Sequence, residues 1–553
     1  MSKNVVILAL VAGFAFSLQA QPPGTSGSVD IPGEFNPQLT ESNKFYENPN
    51  ITDSVPKAPV LTYTVEQVPF KTGYDIDPIK AAVVKDNPYG KLQRLYAKVG
   101  FGNYTTPYGE LWLNSLRSKT YQMGAHYRHL SSSGKIKGVG YPGYSTNELS
   151  LYGKRFINGK HTLSGDVYYN RNARHYYGYN PDEFNLSKKS TLQYFNHGGT
   201  NVSAESNYVG DSSRVHYKAD INYYYLADRF KTTEQRFTMD GKAWFNQGVL
   251  TYGGFLAFDY IQNRNTLDTV NTYLITINPI FKARGDRYLI NAGVNAFLNI
   301  DTITRFYFHP YIDAQFNIYE DYLIVFAGIN GKFKRNTFLD LTTTNAFMNT
   351  LAPIQNSNHK LQLFAGLKGA LSSNTSFKVD VMREMVDNMP LFVNDTNSIG
   401  PRNTFFIAYD TVRVFNVNGE VTYAKGEKFS ITARGEFYSY KPRNELKAWH
   451  MPNLKVSLNT RYNLADKFIA KVDVFLIGTR FARLSSTDSL GVQSFSAKQL
   501  KPYVDVNLGI EYRYNKVFSA FLNVNNVAAR RYERWNNFPS QRINFILGIA
   551  YSL

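Results

Sequence analysis

Val504-Asp505-Val506-Asn507-Leu508-Gly509-Ile510-Glu511-Tyr512-Arg513-Tyr514 is the stretch on which the fold turns. Val504, Val506, Leu508, Ile510, Tyr512 and Tyr514 share one parity, and Asp505, Asn507, Glu511 and Arg513 take the other. Successive side chains of an extended chain point to opposite faces, so this is a strand with one apolar and one polar face. The scheme recurs with Val215, Tyr217, Ala219, Ile221, Tyr223 and Tyr225 against Arg214, His216, Lys218, Asp220, Asn222 and Tyr224. It recurs again with Leu454, Val456, Leu458 and Tyr462 against Lys455, Ser457, Asn459 and Arg461. These runs last about 10–14 residues. Soluble strands average about 5–6 residues, and a tilted strand needs about 9–11 to cross a bilayer.

The connections alternate as well. Short turns fall at 117–119, 158–160, 210–212, 246–248, 284–286, 320–321, 372–374, 425–427, 465–466 and 515–516. Between them lie hairpins whose far ends are often long: 131–145, 172–199, 335–358, 388–409 and 481–500. Tight turns on one side and long loops on the other mark an outer-membrane barrel. Ten short turns flank nine hairpins, and one further hairpin at each end brings the count to about 22 antiparallel strands, with 20–24 acceptable. A closed all-β barrel is also the β architecture that satisfies every backbone group in lipid. The last strand, with Phe545, Leu547, Ile549, Tyr551 and Leu553 on one face, closes the barrel and is the candidate C-terminal insertion signal. An aromatic is the usual last residue of such a strand; here it is Leu553.

The 553 residues include 41 Tyr, 39 Phe and 4 Trp but no Cys, so thiolate metal sites, disulfide scaffolds and cysteine nucleophiles are excluded. Mean hydropathy is −0.35, which excludes a bundle of membrane helices. The segment from Lys3 through the apolar run Val5–Phe16 to Ala20 reads as a secretory signal peptide, residues 1–20. Residues 21–90 hold 10 of the 22 prolines, with five Lys against nine Asp or Glu, a balance of −4. They read as an extended, acidic periplasmic segment. The total is +18, so residues 91–553, the barrel, carry +21.

Phe521-Leu522-Asn523-Val524-Asn525-Asn526-Val527, followed by Arg531-Tyr532-Glu533, Pro539-Ser540-Gln541-Arg542 and Gly548, resembles the last two strands of TonB-dependent receptors. The resemblance implies a 22-strand outer-membrane barrel and uptake or binding of an extracellular solute. Ser540-Gln541 stand where that family usually has a glycine. Family members carry a folded plug domain of well over a hundred residues before the barrel, whereas only 70 proline-rich residues are available here, so the chain looks like a plugless relative. Its Tyr- and Asn-rich style and Gln-Ala-Gln signal end look like proteins of Bacteroidota.

Little in the chain suggests catalysis. His126 and His129 are the only close pair among nine histidines, and an offset of three puts them on opposite faces of a strand, so neither a metal site nor a cofactor is expected. No enzyme is expected either, because no nucleophile elbow or phosphate loop stands on a strand–helix junction. Lumen-facing basic candidates by parity are Lys218, Arg434, Lys455, Arg461, Lys471 and Arg513. They either present a basic wall or simply pair with Asp220, Glu436, Asp473 and Glu511. Expected partners are outer-membrane lipid and lipopolysaccharide phosphates, the barrel insertion machinery, the acidic leader, and other outer-membrane or periplasmic proteins; nucleic acid is excluded by location. Tyr176, Tyr177, Tyr179 and Phe184 either stack on a sugar, cap the barrel or face a partner. The leading function is a receptor-like barrel handling an extracellular solute; the alternative is a non-transporting subunit of a larger outer-membrane assembly. A 22-strand cylinder is a large hole, so the leader, inward-folded loops or a partner must close it.

Overall fold

Residues 92–208, 214–319, 322–395, 403–487 and 493–553 are described by a computed structural model. The residues read as a signal peptide, 1–20, and as an acidic periplasmic segment, 21–90, lie outside the described residues. Alternating sequences become strands here because each can bury its polar face inward and leave its apolar face outward along the whole wall. The result is one 22-stranded antiparallel sheet, in agreement with the strand count read from the turns. Its strands run from 8 residues, as in Leu95–Gly102, to 21 in Phe405–Lys425.

Closure is made by Leu95–Gly102, which pairs with Thr106–Asn114 on one side and Asn544–Ser552 on the other. The chain end is zipped into that seam: Leu553 N donates to Leu95 O at 2.8 Å, and Leu95 N donates to Leu553 O at 3.1 Å. Ten turns gather at the end where Leu95 and Leu553 meet, and eleven connections gather at the other. The tight turns have the chemistry that such turns demand. Asn158 and Gly159 both take positive φ, 51° and 65°, as a two-residue hairpin turn requires. The outward face is apolar: Val99, Leu151, Val167, Leu256 and Leu547 are each more than half exposed.

Two expectations about the loops change in detail. Thr375–Asn394 and Phe405–Lys425 run through most of the stretch 388–409 and leave only 395–404 as a connection. The connection 481–500 carries its own hairpin, Arg480–Thr487 with Gln493–Leu500.

One neighbouring pair departs from full pairing. Arg305–Tyr319 and Leu323–Lys334 are registered from Tyr319↔Leu323 only as far as Ile312↔Ile329. Above that point Leu323–Lys334 stays paired with Ser357–Ser372, through a register shift between Asn330 and Lys332, but leans over the inner face of its other neighbour. Asn295 Nδ2 donates to Gly331 O at 2.7 Å. A Cβ on Gly331 would stand 2.6 Å from that of His309, so only glycine permits the approach. Pro310 lies on the stretch that has no register with Leu323–Lys334 and pairs only with Val294 on its other side.

Candidate functional site at the loop end of the barrel

Because Leu323–Lys334 leans inward, the residues after it enter the barrel mouth. Arg335 is buried, and its Nη1 donates to Asp259 Oδ1 at 3.3 Å and Asp259 O at 3.2 Å. Arg236 holds the same carboxylate through Nε at 3.0 Å and Nη2 at 2.8 Å. A short helix, Phe338–Thr344, follows, with Thr337 as its cap: Asp340 N donates to Thr337 Oγ1 at 2.9 Å. The helix start is seated on the wall by Glu234, whose side chain is fully buried. Its carboxylate accepts from Phe338 N at 2.6 Å, from Leu339 N at 3.1 Å and from the Tyr224 hydroxyl at 2.8 Å. Its oxygens satisfy two amide groups that a helix start leaves without partners.

The segment then meets loops from other parts of the rim. Met348 and Phe405 form a parallel bridge, with Asn349 N donating to Phe405 O at 2.8 Å and Phe405 N to Phe347 O at 3.0 Å. The Tyr176 hydroxyl donates to Met348 O at 3.3 Å, and the Tyr177 hydroxyl to Pro539 O at 3.1 Å. Burial pushes both phenols up, so they remain neutral donors. Phe347 stacks on Phe538 with ring centroids 4.0 Å apart.

These contacts form one apolar core that includes Leu226, Phe338, Met348, Phe392, Phe405, Trp535 and Phe538. Its members come from the sixth and seventh strands, from the fifteenth and sixteenth, from the inward-folded segment, and from the connection before the last strand. A barrel of this strand number is about 40 Å across, so wall residues that far apart on the ring cannot touch. Loops from these strands therefore meet across the lumen. A second apolar group, built on Leu391, Val393, Val412 and Trp449, extends the core along one wall.

Polar braces fix the far side. His450 Nδ1 lies 2.9 Å from Phe392 O, and Asn536 N donates to His450 Nε2 at 3.2 Å. These partners set the tautomer, with the proton on Nδ1 and the acceptor on Nε2. Burial pushes the imidazole down to about 4, helped by Arg480 and Lys498. Asn536 Nδ2 donates to Asn394 Oδ1 at 2.9 Å, and Lys498 Nζ to Asn536 Oδ1 at 2.7 Å. Arg480 Nη1 donates to Glu533 O at 2.8 Å. The Asn-rich motif at 523–526 has a structural role: Asn526 takes positive φ and donates Nδ2 to Arg530 O at 2.7 Å and Gln541 O at 2.9 Å, tying both ends of the last loop.

The aromatics of loop 172–199 are thus not an exposed sugar platform. Tyr176 and Tyr179 are buried and Phe184 is half-buried; Tyr176 stacks on Phe230 and Tyr177 packs on the loop core. The six basic candidates are not one cluster. Lys218 stands on the seventh strand, while the other five lie on four neighbouring strands elsewhere in the ring. Lys218 pairs with Asp220 at 3.6 Å, Lys455 with Glu436 at 3.4 Å and Arg513 with Glu511 at 3.2 Å. Arg434 pairs with Glu420 at 3.0 Å rather than with Glu436. Arg461 stands opposite Lys471 in the register, and Asp473 accepts instead from Asn459 at 2.7 Å. Phe545, Leu547, Ile549 and Leu553 are exposed on the outer face, and Tyr551 packs on Phe518 at 5.0 Å. His126 stacks on Trp112, while His129 bonds Asn147 on the other face.

Glu234, Arg335, His450 and Asn536 were not singled out from sequence. Asn336-Thr337-Phe338-Leu339-Asp340 does carry a helix-start signal, a Thr cap with an acid three residues on.

An apolar-faced 22-stranded barrel with tight turns at one end and inward-folded loops at the other defines a receptor-type barrel of the outer membrane. Residues 126–527 match the family described as TonB dependent receptor-like, beta-barrel, and the chain belongs to that family. Among solved structures, the chain is similar to the FrpB iron transporter from Neisseria meningitidis (F3-3 variant) at 7% identity and TM-score 0.66, over 84% of this chain and 82% of that one. It is similar to the ferric-catecholate import receptor Fiu from K12 E. coli at 10% identity and TM-score 0.61, over 84% and 82%. The pyoverdine outer membrane receptor FpvA from Pseudomonas aeruginosa PAO1 matches at 12% identity and TM-score 0.60, over 84% and 79%. No curated protein matches the sequence. The protein is thus placed in the outer membrane of a Gram-negative bacterium, and the long-loop end is the extracellular one. The family is one of receptors and transporters rather than enzymes.

Proposed function

We propose that this barrel binds and admits an extracellular solute, and that the inward-folded loops are the gate it must displace. The observation that carries this reading is the apolar core built around Met348 and Phe405, which spans the extracellular mouth from widely separated strands. A barrel that only scaffolds partner proteins has no need of a closure made from its own loops inside the lumen. Polar lumen walls with paired charges, as at Lys455–Glu436 and Arg513–Glu511, suit passage of a hydrated solute.

The test exploits the absence of native cysteine. Bridge partners such as Met348 and Phe405 sit about 5 Å apart, within the range a disulfide spans. The double variant Met348→Cys, Phe405→Cys is reconstituted in liposomes, and sugar permeation is followed by swelling. Both side chains are fully buried in the loop core, so their truncation loosens the loops once the disulfide is reduced, and permeation that appears on reduction and disappears on oxidation supports a loop gate. Equal impermeability in both states, together with stable co-purification of partner proteins in mild detergent, supports the non-transporting subunit instead.

A further inference from the structure

Behind the inward-folded segment lies a separate recess of about 560 Å³. That is the size of an ordinary small-molecule site. The barrel rim lines it with Thr232, Asn263, Arg264 and Arg305, and the segment lines it with Arg335 and Asn356. Two acids stand nearby, but both are engaged by their own turns. Asp301 accepts from Ile303 N at 2.9 Å and Asn299 Nδ2 at 2.7 Å, and Asp268 accepts from Thr269 N at 2.7 Å. Among the described residues, Arg264 and Arg305 have no carboxylate partner.

Arg335 is the informative residue. Its side chain is 4% exposed, and Nη1 is taken by Asp259 and by Thr272 O. Nε and Nη2 have no partner from the protein. Those two nitrogens form the guanidinium edge that grips a planar oxyanion with two parallel hydrogen bonds. Thr232 Oγ1 and Asn263 Oδ1, in the same lining, are also without protein partners. A hydroxyl group on a ligand supplies the donor that both oxygens lack.

We propose that this recess binds a hydroxylated oxyanion, a sugar carboxylate or a sugar phosphate, with the anionic group on Arg335 and hydroxyls on Thr232 and Asn263. Arg305 and Arg264 supply the positive field at its edge. The inference rests on the solute-admitting reading above and names the class of solute. Because rim and segment both contribute to the lining, the bound solute ties the gate to the wall.

The test is calorimetric titration of the full chain in detergent with digalacturonate, glucose 6-phosphate, maltose and inorganic phosphate. The expected result is millimolar or tighter binding of one of the two anionic sugars, at least about tenfold tighter than maltose and than phosphate alone. Which anionic sugar binds names the source of the anion. Arg305→Gln weakens it about fivefold or more by removing the edge charge, and Arg335→Lys weakens it further while keeping a cation beside Asp259. Binding of maltose as tight as that of the acids, binding of phosphate alone as tight as that of its sugar ester, or no binding by any probe overturns the proposal. So does unchanged affinity in both variants. Gated permeation with no charge-selective binding removes this site alone; charge-selective binding with no gated permeation removes the uptake reading and leaves the site.

Discussion

Replacing Glu234 with alanine removes the acceptor that seats the gate on the barrel wall. Three donors lose their partner at once: Phe338 N at 2.6 Å, Leu339 N at 3.1 Å and the Tyr224 hydroxyl at 2.8 Å. Each buried donor left without its partner costs about 1–3 kcal/mol, and groups that share one acceptor do not add in full. A loss of about 3–5 kcal/mol in docking of the segment is therefore expected. At 1.4 kcal/mol per factor of ten, that raises the open population about a hundredfold to a few thousandfold. The assay is hydrogen exchange by mass spectrometry on the purified barrel, comparing peptides covering 335–356 with peptides from the wall strands. Exchange should accelerate in 335–356 and in the loops that pack on it, while the wall stays protected. Glu234→Gln keeps one acceptor oxygen and should fall between wild type and alanine. Unchanged exchange in 335–356 for Glu234→Ala, with the wall intact, would refute the idea that this carboxylate holds the gate.

Further consequences concern pH, lipid and the loop braces. His450 is held down at about 4 in the folded protein, against an ordinary value of about 6.5, so the folded state binds its proton less readily than the unfolded one. Its contribution is complete above about pH 6.5 and is lost progressively as pH falls toward 4, by at most about 3 kcal/mol. Protection factors around 443–453 and 533–538, which allow for the slower intrinsic amide exchange in acid, should fall on acidification through that window, and His450→Gln should flatten the response. Leu547→Arg places a cation on the lipid face of the last strand, where Leu547 is 58% exposed, and should cost about 2–4 kcal/mol near the membrane centre. Its folded fraction, read from heat-modifiable gel mobility, should drop, whereas Ser540→Arg in the neighbouring loop should leave it near wild type. Asn526→Ala breaks the two bonds that tie the last loop and should expose 527–543 to protease.

The wall was legible because its physics is local. Parity along Val504–Tyr514 fixes which face meets lipid, and pairs such as Asn158-Gly159 mark where the chain reverses, so strand number followed by counting turns. The gate was not legible because its contacts join residues remote in sequence, such as Met348 with Tyr176 and Tyr177 with Pro539. Glu234 reads as one more lumen acid at the start of a strand, and only the inward lean at Gly331 brings a helix start onto it. The same long range explains the loop tyrosines, whose composition suits an exposed platform as well as a buried cap. The basic residues read by parity were placed on real strands, but parity is blind to cross-strand choice, as Arg434 shows by pairing with Glu420.

The account stands most directly on the current through single barrels in a planar bilayer. The full-length protein should show small or no steady conductance, and a variant in which residues 338–354 are replaced by a short glycine-serine turn should show large, long-lived openings. A full-length barrel that already conducts as a wide pore, or a shortened one that stays silent while correctly folded, would contradict a mouth closed by its own loops.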